Sequence, residues 1–125
     1  MKTEELSVLL IEDDDIEMGI GLLCLGSAGI KKIDTAENQF QAIRYIQNHK
    51  YDLIISDTTD GNNSQFGPDV VRRAKELGQT AVVVGISNYK DNNKFWKGLA
   101  DYFFGKSEFY GVGLKQVLKE RFEVF

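Results

Sequence analysis

Four consecutive acidic residues, Glu12 to Asp15, follow an apolar run near the start of the chain. Carboxylates this close repel one another and raise one another's pKa unless a cation or hydrogen-bond donors lie opposite them. Several carboxylates together suit a hard divalent cation, and Mg²⁺ typically takes one or two of them plus water and phosphate oxygens. The acidic segment therefore predicts a metal site.

Three more residues whose side chains could take part in catalysis follow apolar runs in the same way. Asp57 comes after "LIIS", Ser87 ends "AVVVGIS", and Lys106 comes after "YFFG". A carboxylate beside a metal, with an amine and a hydroxyl aimed at the same point, has the parts for covalent phosphoryl transfer. Asp57 would attack phosphorus, Lys106 and the metal would neutralise charge on the transferred oxygens, and Ser87 would hydrogen-bond one of them.

The apolar runs that precede these residues have the character of buried strands. They are short, rich in branched or aromatic residues, and apolar at consecutive positions, which is typical of strands covered on both faces. They cover residues 7–11, 53–56, 81–87 and 102–105, and a more polar run at 31–36 suits a sheet edge.

Between the runs the apolar residues repeat with helical spacing. The predicted helices cover residues 16–29, 38–50, 68–78, 91–100 and 113–122. Strand and helix thus alternate five times, which predicts a parallel sheet with helices on both faces. Ligands of such sheets bind beyond the carboxyl ends of the strands, where the residues named above would lie.

Composition narrows the class of protein. The 125 residues, 42% of them hydrophobic and 27% charged, fit one globular domain spanning 1–125. The net charge of -4 and the lack of a dense Lys/Arg cluster disfavour direct nucleic-acid binding. The sequence contains no apolar stretch long enough for a membrane span and no secretory signal, so we expect a cytoplasmic protein without membrane contact.

Two single residues are expected to be structural. Cys24 is the only cysteine, which excludes an intrachain disulfide and a thiolate zinc site and favours a packing role. His49 lies where a helix would end, so a surface position is favoured over a catalytic role.

The segments "LLIEDD", "YDLIISD", "VVVGIS" and "ADYFFGK", in this order and spacing, resemble the receiver domain of two-component response regulators. The resemblance covers essentially the whole chain and implies a flavodoxin-like (βα)5 fold with strand order 2-1-3-4-5. It implies that Asp57 accepts a phosphoryl group from a histidine kinase or a histidine phosphotransfer protein, with Mg²⁺ as cofactor. Such a domain promotes its own phosphoryl transfer and dephosphorylation and is a signalling module rather than an enzyme.

The resemblance also implies roles for individual residues. Ser87 matches the family's switch hydroxyl, Phe103 its switch aromatic and Lys106 its lysine. The implied metal ligands are the carboxylates of Glu12, Asp13 and Asp57 and the main-chain carbonyl of Thr59. Asp14 and Asp15 are expected to be only the N-cap and a first-turn acid of the following helix.

The sequence departs from the family pattern after Asp57 and after Lys106. The loop "TTDGNNSQFG" is about two residues longer than usual and lacks the Met-Pro turn, so metal geometry and partner contacts there are expected to differ.

Ser107 replaces a proline whose preceding peptide is cis in the family. Because a non-proline cis bond costs about 2.5 to 4 kcal/mol, we expect the Lys106–Ser107 bond to be trans or a strained cis. The resemblance places Tyr89 and Thr59 at variable positions that tune how fast water removes the phosphate in the family. The bulky aromatic ring of Tyr89 would hinder an in-line water, which predicts a long-lived phosphorylated form.

The output of such a domain would be a change in protein contacts. The family implies a downstream target on the face formed by the last two helices and the fifth strand, where Trp96 is expected to be exposed. For a chain that ends at Phe125, we expect output through docking onto another protein or through a homodimer. The departures leave an alternative: a phosphate-independent pseudo-receiver that acts as a protein interaction module. Nucleotide hydrolysis is disfavoured because the sequence has no glycine-rich phosphate loop with Lys-Ser/Thr.

Overall fold

The computed structural model describes residues 2–59 and 64–124. Its strands are β1 (Ser7–Ile11), β2 (Lys32–Ala36), β3 (Leu53–Asp57), β4 (Val82–Ser87) and β5 (Tyr102–Gly105). Helices α1 (Asp15–Ser27), α2 (Gln39–Asn48) and α3 (Phe66–Glu76) follow the first three strands. A 3₁₀ helix (Lys90–Trp96) follows β4, and a short 3₁₀ turn (Thr3–Glu5) precedes β1. The C-terminal helix starts after β5 and runs through Lys106–Glu108, a π-helical turn at Phe109–Gly113, and Leu114–Phe122.

The five strands form one parallel sheet in the order β2-β1-β3-β4-β5. This confirms the predicted flavodoxin-like fold and its strand order. The predicted strand bounds are close to those observed: β3 extends one residue further, to Asp57, and β4 begins one residue later, at Val82. The polar run predicted for an edge, β2, does lie at one edge of the sheet, beside β1. It is partly exposed along most of its length, as is β5 at the opposite edge.

The register of the sheet brings the candidate site residues to one edge. Asp57 and Ser87 are the last residues of β3 and β4, while Glu12 and Lys106 come directly after β1 and β5. Ser87 pairs with Gly105, so β4 and β5 end at the same level. All four residues therefore lie at the carboxyl edge of the sheet.

A hydrophobic cluster covers each face of the sheet, as expected for strands that are apolar at consecutive positions. α1 and the C-terminal helix pack on one face, mainly through Met18, Leu25, Phe109, Leu114, Val117 and Leu118. α2 and α3 pack on the opposite face, mainly through Ala42, Ile46, Phe66, Val70 and Ala74. These clusters fix the strand ends, and with them the candidate site.

The beginning of α1 shows how the acidic segment is divided between structure and site. The Asp14 carboxylate is the N-cap, accepting hydrogen bonds from the Ile16 amide at 2.9 Å and the Glu17 amide at 3.0 Å. Side chains at an N-cap satisfy amides that the helix itself cannot. Asp14 thus has the capping role expected for it, and Asp15 begins the first turn.

The expectation that Trp96 is exposed is wrong. Its side chain is 2% exposed and lies on Gly85 of β4, where an added Cβ would come within 2.5 Å of the indole ring. The indole Nε1 donates a 2.7 Å hydrogen bond to the hydroxyl of Thr58. The glycine leaves room on the sheet, and the hydrogen bond satisfies the polar end of the ring, so burial of Trp96 is favourable. The helix predicted at 91–100 is the shorter 3₁₀ helix that positions this tryptophan.

Two smaller expectations concern single residues. His49 is exposed and caps the end of α2, as expected for a terminal surface residue. Cys24 is a half-buried free thiol on α1. In the part of the chain that the structure describes, no helix has the length and apolar character needed to cross a bilayer.

Candidate functional site

The Lys106 ammonium lies at the centre of the carboxyl edge. Its Nζ is 2.8 Å from Glu12 Oε1 and 3.2 Å from Asp57 Oδ2, and it also donates a short hydrogen bond to Glu17 Oε2. The Lys106 side chain is only 8% exposed and that of Glu12 only 1% exposed. Burial would lower the pKa of this lysine, but the surrounding carboxylates outweigh it and raise its pKa above the ordinary value. Lys106 is therefore charged at neutral pH.

The two buried carboxyls beside Lys106 are hard to ionise together. Burial, with the hydrogen bond and charge of Asp57, raises the pKa of Glu12 from 4.5 to about 8. Burial also raises the pKa of Asp57, against the lowering effects of Glu12, Lys106 and the Thr58 amide. One lysine does not compensate this many carboxylates, so the site favours additional positive charge.

The main chain around Asp57 is tightly fixed. The Asp57 Oδ1 atom accepts a 2.8 Å hydrogen bond from the Thr58 amide, and Asp57 O accepts one of the same length from the Ser56 hydroxyl. Gly67, in the first turn of α3, lies so close that an added Cβ would be 1.8 Å from the Asp57 carbonyl oxygen. Only glycine allows this approach. The carboxylate thus has a defined direction, with one oxygen near Lys106.

Ser87 belongs to a closed turn at the end of β4. Its Oγ accepts hydrogen bonds from the Tyr89 amide at 2.9 Å and from Asn92 Nδ2 at 2.8 Å. Because both contacts use the oxygen as acceptor, the hydroxyl proton can still be donated to another group. The residue is buried, and the turn holds it at the same level as Gly105 and the start of the C-terminal helix.

Three carboxylates at this edge have the geometry of a cation site. One oxygen each from Glu12, Glu17 and Asp57 lies within 4.8 Å of the others. Oxygen-only ligands suit Mg²⁺, and the buried Glu12 and Asp57, whose pKa values are raised, gain most from a divalent cation. The three carboxylates therefore fit the magnesium that the resemblance implies. This set differs from the one implied by the sequence, because it includes Glu17.

Asp13 and Thr59 are the other implied ligands. Asp13 is not one of the three clustered carboxylates, and Thr59 would contribute its main-chain carbonyl rather than a side chain. Both are half-buried, at the ends of β1 and β3. The loop residues 60–63 that continue from Thr59 fall outside the described residues, so the expectations for the longer loop remain predictions. Asp13 and the Thr59 carbonyl remain predicted ligands.

No family profile and no curated protein matches the sequence. Solved structures do match. The receiver domain of the histidine kinase CKI1 from Arabidopsis thaliana, in complex with Mg²⁺, superposes with a TM-score of 0.77 at 16% identity, covering 92% of this chain and 90% of that one. A CheY-like receiver domain protein from Methanospirillum hungatei gives a TM-score of 0.79 at 18% identity, covering 95% and 96%. The response regulator TrrA from Thermotoga maritima, in complex with Mg²⁺-BeF, gives 0.75 at 24% identity, covering 91% and 97%.

This chain has the receiver-domain fold. The similarity covers nearly the full length of this chain and of each matched chain, so it concerns the whole fold and not a shared βα unit. Sequence identities below 25% establish the architecture only. The roles of individual residues are argued from the geometry of the site.

Phe103, the implied switch aromatic of the receiver fold, lies on β5. It is half-buried and packs against a small cluster of Val71, Val83 and Trp96. Trp96 is in turn hydrogen-bonded to Thr58, the residue after Asp57. This cluster therefore lies between Phe103 on the fifth strand and the residue that follows Asp57.

Two contributors to the site were not predicted from the sequence. Thr58 is fully buried, and its hydroxyl donates to the Ile86 carbonyl at 2.9 Å while accepting from Trp96. Glu17, in the first turn of α1, reaches Lys106 across the helix interface. Its position on the opening turn of a helix is shared by ordinary first-turn acids, so the sequence alone does not single it out.

A small cavity opens beside Lys106. It has a volume of about 160 Å³ and is lined by Glu17, Ile20, Asn88, Lys106, Ser107 and Tyr110. The Tyr110 hydroxyl faces Gly21 of α1, and it has no hydrogen-bond partner within the described residues. Burial, together with the charge of Glu12, raises the pKa of this tyrosine, so its hydroxyl stays protonated.

The Lys106–Ser107 peptide is trans, the first of the two outcomes expected without proline.

Proposed function

We propose that this chain is a receiver domain of a two-component system and that Asp57 accepts a phosphoryl group from the phosphohistidine of a histidine kinase or histidine phosphotransfer protein. One observation carries the proposal: the Lys106 ammonium contacts both Asp57 and Glu12 at the carboxyl edge of a receiver fold. Two structural neighbours, described as complexes with Mg²⁺ and with Mg²⁺-BeF, support magnesium as the cofactor.

The proposed transfer is a substitution at phosphorus. An Asp57 carboxylate oxygen forms the new P–O bond while the P–N bond to the donor imidazole breaks, and the imidazole nitrogen keeps the electron pair and takes a proton from solvent. Lys106 would neutralise charge on the transferred oxygens, and the Ser87 hydroxyl would donate to one of them. Bound Mg²⁺ supplies positive charge that favours the ionised carboxylates. Attack of water on phosphorus then breaks the P–O bond to Asp57, releases inorganic phosphate and regenerates the carboxylate, so the domain promotes its own phosphorylation and dephosphorylation.

The lifetime of the phosphorylated form depends on access of water to the phosphorus. Tyr89, two residues after Ser87, is a bulky and largely exposed side chain beside this edge. A ring that closes over the phosphoryl group would hinder in-line water. We expect slow loss of phosphate, measured as the decay of phosphorylated protein, and Tyr89→Ala to accelerate it.

The proposed output is a change of surface. Phosphorylation adds nearly two negative charges and draws Ser87 and Lys106 toward Asp57. Phe103 would follow this movement, since it packs against the cluster of Val71, Val83 and Trp96 next to the site. The affected face consists of the 3₁₀ helix, β5 and the C-terminal helix, and it would bind a downstream protein or a second copy of the chain. We place this signalling function in the cytoplasm.

Incubation with Mg²⁺ and acetyl phosphate, followed by intact-protein mass spectrometry, tests the proposal. We expect a gain of one phosphoryl group that does not occur when EDTA replaces Mg²⁺ and is absent in Asp57→Asn. That variant keeps the size of the side chain and its oxygen acceptor for the Thr58 amide, so it is a matched control. Absence of phosphorylation in the wild-type protein, with Mg²⁺ bound, would contradict the proposal and favour a phosphate-independent interaction module.

A further inference from the structure

The Glu17 carboxylate joins two segments that the proposed switch would move. Its Oε2 accepts a hydrogen bond from Lys106 Nζ, and its Oε1 accepts one from Asn88 Nδ2 at 2.9 Å. Asn88 directly follows the switch hydroxyl Ser87 in the chain. The Glu17 amide is fixed by the N-cap of α1, so the helix itself sets the position of this carboxylate.

Lys106 uses two of its three N–H donors in hydrogen bonds to Glu12 and Glu17, and its Nζ lies 3.2 Å from Asp57 Oδ2 as an ion pair. Movement of Lys106 toward a phosphoryl oxygen on Asp57 would break one of these two hydrogen bonds. Glu12, whose side chain is 1% exposed, would be left buried and unpaired, whereas Glu17, at 29%, can exchange the lysine for water. Glu17 is thus the partner whose displacement costs least.

The same displacement frees the turn that contains Ser87. The Ser87 hydroxyl is held in this turn by the Tyr89 amide and Asn92, and the Asn88 side chain ties the turn to α1 through Glu17. A shift of Ser87 toward Asp57 pulls Asn88 away from Glu17. One carboxylate therefore restrains both Lys106 and the switch segment in the unphosphorylated arrangement.

We propose that Glu17 is a positioning residue that holds Lys106 and Asn88 in the resting state and opposes binding of a phosphoryl group at Asp57. The proposal rests on the proposed phosphoacceptor function. Two effects of Glu17 oppose phosphoryl binding. Its hydrogen bonds to Lys106 and Asn88 must break, and its negative charge repels the incoming phosphoryl oxygens.

Titration with beryllofluoride at saturating Mg²⁺ tests this role. Trp96 is the only tryptophan and is hydrogen-bonded to Thr58 beside Asp57, so its fluorescence reports binding. In Glu17→Gln we expect affinity for beryllofluoride to rise about two- to fivefold, in line with the strength of a partly exposed ion pair. In the same variant, affinity for Mg²⁺ alone should stay equal or fall, because a negative charge next to the cation is lost. A merely structural role would weaken both or neither.

Two further variants separate charge from contact. Asp15→Asn makes the same charge change on the exposed side of the same helical turn and should leave beryllofluoride affinity unchanged. Asn88→Ala removes only the second hydrogen bond of Glu17 and should give a smaller gain in affinity than Glu17→Gln. A beryllofluoride affinity in Glu17→Gln that is equal to or weaker than that of Asp15→Asn would overturn the proposal. Failure of the wild-type protein to bind beryllofluoride with Mg²⁺ would instead overturn the proposed function, and this proposal with it.

Discussion

Replacing the buried ammonium at the centre of the site is the most informative perturbation of the fold. Lys106→Met keeps an unbranched side chain of similar length and removes the positive charge that faces Glu12, Asp57 and Glu17. Removing one partner of a buried ion pair typically costs about 3 to 5 kcal/mol, because the other charge stays buried and unpaired. The bond to the partly exposed Glu17 adds less than about 1 kcal/mol.

The charged state of Glu12 sets how much of this cost is observed. Below its pKa of about 8, Glu12 can hold a proton, which relieves part of the repulsion once Lys106 is gone. We therefore expect Lys106→Met to lower the free energy of unfolding by about 3 kcal/mol at pH 8.5 in EDTA, and by less at pH 6. Urea unfolding followed by Trp96 fluorescence and far-ultraviolet circular dichroism measures both values.

Controls distinguish this explanation from a general effect of losing a lysine. Lys119→Met removes an exposed charge of the C-terminal helix and should change stability by less than about 0.5 kcal/mol. Adding Glu12→Gln to Lys106→Met should recover part of the loss. If Lys106→Met is as stable as the wild-type protein at pH 8.5, or if its loss does not depend on pH, Lys106 does not balance these carboxylates.

Three further predictions follow from single contacts. Gly67→Ala places a Cβ against the Asp57 carbonyl oxygen, so we expect a loss of more than about 3 kcal/mol in urea unfolding and loss of Mg²⁺ binding. A stable, Mg²⁺-binding variant would show that this approach can relax. In EDTA, Glu12 holds a proton in the folded protein that the unfolded chain releases above pH 4.5, so its contribution to stability falls as pH rises from 4.5 to about 8, by at most about 1.4 kcal/mol per pH unit. Glu12→Gln should remove this slope, and an unchanged slope would refute the assignment. Thr58→Val leaves the indole N–H of Trp96 buried without an acceptor and should cost about 1 to 3 kcal/mol with a shift of tryptophan emission, whereas unchanged emission would argue against that hydrogen bond.

The sheet and the residues at its carboxyl edge could be predicted because their signals are local. Consecutive apolar residues mark strands covered on both faces, and a parallel sheet collects the residues that follow them at one edge. Asp57, Ser87 and Lys106 each lie at the end of such a run, so their alignment follows from the chain order. The Asp14 cap could be predicted for the same reason, since a cap depends only on the helix that it starts.

Other parts of the site depend on contacts between distant segments. The burial of Trp96 depends on the space above Gly85 and on an acceptor from Thr58, and no local pattern pairs these residues. Glu17 has the spacing of an ordinary first-turn acid, and its reach to Lys106 depends on the crossing of α1 and the C-terminal helix. Side-chain partners of this kind appear only once the elements are packed.

Chemical mapping of the phosphorylated residue tests the central claim most directly. Protein treated with Mg²⁺ and acetyl phosphate is reduced with borohydride, which converts an aspartyl phosphate to homoserine, and its peptides are then sequenced by mass spectrometry. We predict homoserine at position 57 alone, dependent on Mg²⁺ and strongly reduced in Lys106→Met. Homoserine in place of another aspartate would contradict a phosphoacceptor site at Asp57. Equal labelling of the wild-type protein and Lys106→Met would contradict the role of this lysine in the site.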